Sequence, residues 1–218
     1  MALFRSMMTL VCAATLLTAC SGDLPILRDE TAKRTAAPVF MIPRNIPSEK
    51  FIIQAYERVH QKHHPATIYI EGDGKTPTDP IALRLAAQDG GPNVIWLARP
   101  CQYNTKYNAG AKGEKTCPTA YTTSKRFAPD IIETYHRVLD NIKSYYNIPS
   151  FNLVGYDGGA AIAVILASQR ADIASLRTVA GNLDIEAGTF TSTSGTLNVG
   201  TFFLYNFSSG NFVHNSGT

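Results

Sequence analysis

The chain has 218 residues, 44% of them hydrophobic, and a formal net charge of +3. That length suits one domain with a real apolar core, and the scattered Lys and Arg residues form no stripe of the kind a nucleic acid or other polyanion would need. No apolar stretch reaches the roughly 20 residues of a membrane-spanning helix. The amino terminus differs from the rest. Arg5 is the only charge before residue 20, residues 7–17 form an apolar run of signal-peptide length, and the run ends in Leu17-Thr18-Ala19-Cys20.

That tetrapeptide resembles the lipobox of bacterial lipoproteins, in which the cysteine thiol receives a diacylglyceryl group before cleavage. The resemblance implies a signal peptide over residues 1–19, lipidation at Cys20, and a membrane partner reached through the acyl chains. The alternative is an ordinary secretory leader cut near Ala19. Ser21 rather than Asp follows the cysteine, which in that class marks a protein sent on to an outer membrane, facing the periplasm.

Residues 20–47 show little apolar periodicity and carry Pro25, Pro38, Pro43 and Pro47, so they read as a spacer, with room for an edge strand around residues 39–42. Residues 51–59 alternate as a strand, although Phe51, Ala55 and Val59 also fit one helix face. Strands follow at 66–70 and 93–97, with a short helix at 80–88 between them. After a long loop, Asp130 and Glu133 have the spacing of a capping box that opens a helix, whose buried face carries Ile131, Tyr135, Val138, Leu139, Ile142 and Tyr146. A buried strand at 151–154, a small-residue helix at 159–170 and a strand at 176–180 complete the alternation. Strands and helices in this order imply an α/β fold, a mostly parallel sheet doubly wound by helices.

Gly155-Tyr156-Asp157-Gly158-Gly159 stands between a strand and a helix and resembles the nucleophile elbow, G-x-S-x-G, of the α/β-hydrolases. Tyr69-Ile70-Glu71-Gly72-Asp73-Gly74, the 97–103 stretch, the Arg126-Phe127-Ala128-Pro129 helix start and the 178–184 stretch look similar to a group of exported bacterial members. The resemblance covers about residues 51–184, within a domain placed at 48–186. It implies an oxyanion site at the backbone N–H groups of Gly158 and Asp73, with Asp157 at the nucleophile position. A small-molecule substrate or ligand is the expected partner.

Two departures bear on activity. Asp157 replaces the serine. Haloalkane dehalogenases and epoxide hydrolases use aspartate there, but with Trp after it and His-Gly before the oxyanion loop, where this chain has Gly158 and Glu71-Gly72. In addition, no Asp, Glu, Lys or Arg follows Glu186, and residues 187–218 are rich in Ser, Thr, Gly and Asn. They read as a divergent, replaced or frame-shifted tail in which the usual last strands and helices are missing, though residues 197–207 could form a strand. His214 is the one histidine after the elbow, so it is the sole base candidate in the usual chain order, with Asp184 and Glu186 as nominal acids. Solvated or surface roles compete for all three.

No cofactor is called for. His60, His63 and His64 crowd one turn with no carboxylate or cysteine constellation beside them, so no metal site is expected. Cys101 and Cys117 bracket a polar loop in an exported chain, which predicts a disulfide. Mass spectrometry of the mature amino terminus is expected to find a diacylglyceryl cysteine at position 20; an unlipidated terminus beginning elsewhere would reject the lipobox reading.

Overall fold

A computed structural model describes residues 25–181, 183 and 202–205. The central strands form because their sequences are short, apolar and rich in β-branched or aromatic residues: ATIYI in β3 (Ala66–Ile70), NVIWL in β4 (Asn93–Leu97) and FNLVGY in β7 (Phe151–Tyr156). Around them lie β1 (Ile42–Pro47), β2 (Ile52–Val59), β8 (Ile173–Val179) and β9 (Phe202–Tyr205). The seven strands run in the order β1-β2-β4-β3-β7-β8-β9. From β4 to β9 neighbours are parallel, while β2 is antiparallel to β4 and β1 to β2.

Helices cover both faces. On one, α3 (Pro129–Tyr146) and α4 (Gly158–Gln169) set Tyr135, Leu139, Ile162 and Leu166 against Ile68, Ile95 and Leu153 of the sheet. On the other, α1 (Pro25–Ala36) and α2 (Ile81–Gln88) bring Ala32, Ala36, Leu83 and Ala86 onto Tyr56, Trp96 and Val154. Trp96 and Ile95, adjacent in β4, fall in different layers, as the two-residue period of a strand requires. This is the doubly wound, mostly parallel architecture implied by the alternating elements.

Three local readings change. Most of the stretch read as a spacer belongs to the folded body: α1 packs through Ala32 and Ala36, and β1 is an edge strand in register with β2. Residues 51–59 are strand and not helix. The capping box is absent, because Ala128 is the N-cap and Pro129 opens the helix, which leaves Asp130 inside the first turn. Its carboxylate instead accepts from Lys50 Nζ and from the Tyr121 hydroxyl, both at 2.6 Å.

The long loop after β4 contains a small hairpin, β5 (Lys106–Asn108) with β6 (Glu114–Thr116). Cys101 and Cys117 are joined as a disulfide across it, with their Cα atoms 5.7 Å apart. Cys101 is buried and Cys117 packs on the same core, so the bridge ties the hairpin to the sheet. In the chain-entropy picture a loop of this size contributes about 3 kcal/mol. Reduction, or Cys117→Ser, is expected to lower unfolding stability by that order in a urea titration, with α3 and the central strands still formed.

Candidate active site

The turn between β7 and α4 is shaped by clearance. A Cβ on Gly155 would lie 2.4 Å from the Ala160 Cα, and one on Gly159 would lie 2.3 Å from the Ile70 carbonyl oxygen. Only glycine lets the turn press this closely on β3. Between them Asp157 takes φ 50° and ψ −121°, a conformation that costs an L-residue roughly 1–3 kcal/mol. Bonds on both sides hold it: its N–H donates to the Val179 carbonyl at 3.0 Å, and its carbonyl accepts from the Ala160 N–H at 3.1 Å. Its side chain is thereby pushed out at the carboxyl end of the sheet, beside the amino terminus of α4.

The loop after β3 is fixed from below by a buried carboxylate. Glu71 Oε1 accepts from the N–H groups of Gly72 (3.0 Å) and Ala82 (3.4 Å), and Oε2 accepts from Trp96 Nε1 at 3.0 Å. Burial pushes this carboxyl up from its ordinary pKa, and the N–H donors oppose that shift. Gln102, fully buried, grips the same loop: its Nε2 donates to the Gly72 carbonyl at 3.0 Å, while its Oε1 accepts from the Arg99 N–H at 3.1 Å. Glu71 thus ties the end of β3 to α2 and β4, and Gln102 ties the loop to the chain after β4.

The arrangement sets Asp73 against the elbow. A Cβ at Gly158 would fall 2.6 Å from Asp73 Cγ, and one at Gly72 would fall 3.2 Å from Asp157 Oδ2. Each glycine makes room for the other segment's carboxyl. Burial, then a hydrogen bond to Asp157 and its charge, push the Asp73 carboxyl above the usual range, and Arg99 and Arg126 draw it back down. Arg126 Nε lies 2.7 Å from Asp73 Oδ2, an ion pair whose N–H is not aimed along that line. Arg99 is buried, donates through Nη2 to the Arg126 carbonyl, and stacks with Arg126 about the Phe127 ring. Its Nε and Nη1 meet no hydrogen-bond partner among the described residues.

The sequence-predicted elbow, Asp157, Gly158 and the Asp73 loop are therefore brought together. His214, Asp184 and Cys20 lie outside the described residues, as does Glu186. His136 is remote, on α3, where it bonds Gln169. The sequence reading assigned Asp73 by its backbone alone and missed its side chain; it also missed Arg99 and Arg126. A charged residue two positions after a wholly buried strand, as Arg99 is after β4, was the available signal. A cleft of about 430 Å³ beside the β1–β2 turn is a different place, and its charges, Lys50 with Asp130 and Arg137 with Glu49 and Glu133, are paired with one another.

No family model matches the chain, and no curated protein does. Solved structures do. A protein of unknown function from Agrobacterium tumefaciens, described as an α/β hydrolase, aligns with TM-score 0.50 and 15% identity, covering 68% of this chain and 63% of its own. An esterase from Pyrococcus furiosus aligns with TM-score 0.46 and 12% identity, covering 69% of this chain and 55% of its own. The chain spans less than two thirds of the length of either. The first likeness, with the sheet order and the elbow, gives the chain the α/β-hydrolase fold.

The carboxyl pair has a pH signature. Because the Asp73 pKa is raised on folding, its contribution is present below the unfolded value of about 3.9 and is lost as pH rises through the folded value. Asp157→Asn removes the like charge. It is expected to be more stable than the parent by about 1 kcal/mol at neutral pH, with the advantage shrinking as pH falls through the raised folded value of Asp73 and gone below about pH 4. Urea unfolding of both proteins across that range checks it.

Proposed function

We propose that this chain is a lipid-anchored protein of the bacterial envelope that keeps an α/β-hydrolase fold, while its elbow no longer carries out acyl transfer and the retained site serves to bind a small molecule. The observation that supports this is the apex residue. A serine alkoxide attacking an ester leaves an acyl-enzyme that water can cleave, whereas a carboxylate attacking the same carbonyl would have to form an anhydride. The Asp157 side chain also lies against the loop that carries Asp73, and its charge helps to push the Asp73 carboxyl above the usual range. The anchor rests on the Leu17-Thr18-Ala19-Cys20 box.

A second reading keeps Asp157 as a nucleophile towards saturated carbon. There a carboxylate oxygen would displace halide or open an epoxide, leaving an alkyl ester on Asp157 that water then hydrolyses. The apex position favours it, since the strained turn directs the carboxylate towards the loop at Gly72 and Asp73.

The two readings separate in one experiment. The envelope protein is expected to hydrolyse activated esters no faster than about tenfold over buffer. Asp157→Ser is expected to recover little, because a serine without a base partner remains unactivated. Incubation with an alkyl halide or epoxide followed by peptide mass spectrometry is expected to leave residue 157 unmodified. An adduct there, absent from Asp157→Asn, would establish the second reading, and robust ester turnover lost in Asp157→Ala would overturn both.

A further inference from the structure

We infer that the anchor holds the domain with the candidate-site end of the sheet turned towards the bilayer, so that the site is addressed to amphiphilic molecules carried in the membrane. This rests on the lipid-anchor reading above and adds an orientation to it. The direction of α1 carries the argument. At its amino end, Arg28 donates to the Thr76 carbonyl in the loop after β3, and Thr76 Oγ1 accepts from the Tyr103 N–H at 3.1 Å. This is the loop whose Asp73 faces Asp157, and Gln102 holds it at Gly72. At the other end, the Val39 carbonyl just beyond α1 accepts from Arg58 Nη1 at 3.3 Å, and Arg58 pairs with Val94 at the start of β4. The helix therefore runs from the site end of the sheet to the opposite end, a rise of roughly 18 Å for twelve residues.

The anchor attaches at the site end. From Cys20 to Pro25 is five residue steps, which span about 17 Å at most whatever their conformation. Had the spacer run to residue 47, the body could tumble freely at the end of a long tether. With α1 packed on the sheet through Ala32 and Ala36, the lipid is instead tied near the mouth of the site. Ile26 and Leu27, in the first turn of α1, are 67% and 48% exposed and fit the same boundary. Phe40 and Ile42 are also exposed, beyond the far end of α1, and would favour the reverse orientation if apolar exposure alone decided it. The short connection to Cys20 reaches the first pair and not the second. A site so placed meets molecules that partition into the bilayer before those dissolved in the surrounding water.

The test uses full-length lipidated protein in phosphatidylethanolamine–phosphatidylglycerol vesicles that contain a lipid-linked energy acceptor. A donor dye is placed at Lys75→Cys, in the site loop, or at Lys62→Cys, in the β2–β3 turn at the opposite end. Transfer from position 75 is expected to exceed that from position 62 at least twofold. Inserting a twenty-residue Gly/Ser spacer after Gly22 should remove the difference. Equal transfer, or greater transfer from position 62, in protein that is lipidated and bound would overturn the orientation and leave the anchor standing. Protein that carries no lipid and does not sediment with the vesicles would overturn the anchor and the orientation with it.

Discussion

The Ile70 carbonyl oxygen stands 2.3 Å from where a Cβ on Gly159 would be, and much of the site follows from that clearance. The elbow can rest on the end of β3 only because residue 159 has no side chain, and it can fold back against the start of α4 only because residue 155 has none. Once it rests there, Asp157 is forced to a positive φ, α4 begins directly beneath it, and the loop after β3 must pass over the helix amino terminus. The contact also joins the two halves of the layer structure, since β3 and β7 are neighbours at the centre of the sheet. An alanine at 159 would have to push the start of α4 away from the end of β3. Such a change falls among the overpacking substitutions that cost about 1–3 kcal/mol, and more where the backbone cannot move.

The electrostatics of the site are built on the same contact. Asp73 and Asp157 belong to segments 84 positions apart in sequence, yet the glycines at 72 and 158 let their carboxyl groups meet. Burial and the neighbouring Asp157 make the Asp73 carboxyl hold its proton more readily than an isolated aspartate would. Arg99 and Arg126 limit that effect, and burial weakens the hold of Arg99 on its own proton. The result is a compact group of opposite charges at the position where an α/β-hydrolase would activate a nucleophile. Beneath it, Glu71 is satisfied wholly by N–H donors, so the loop is kept in place by hydrogen bonds that do not depend on the occupant of position 157.

The central sheet was legible because β3, β4 and β7 are short, mainly apolar runs, and the elbow because its glycines have a steric purpose that spacing alone displays. The amino-terminal body was not legible. The helix α1, with sequence PILRDETAKRTA, buries mainly Ala32 and Ala36, too little for an apolar stripe. Its prolines also looked like those of a linker, but Pro25 begins a helix, while Pro43 and Pro47 lie in edge strand β1, where a missing N–H is tolerated. The spacing of Asp130 and Glu133 suggested a cap that Pro129 pre-empts. The carboxyl pair and its arginines could not be read at all, because they meet only when three separate loops converge at the strand ends.

The central claim is that position 157 holds a carboxyl group whose charge acts on Asp73, in place of an acyl-transfer nucleophile. The most direct measurement is the titration of the Asp73 side-chain carboxyl carbon by NMR in selectively labelled protein. The account predicts that Asp73 titrates above the ordinary carboxylate range in the parent and moves back towards it in Asp157→Asn. An ordinary Asp73 titration in the parent, or one unchanged by Asp157→Asn, would contradict it.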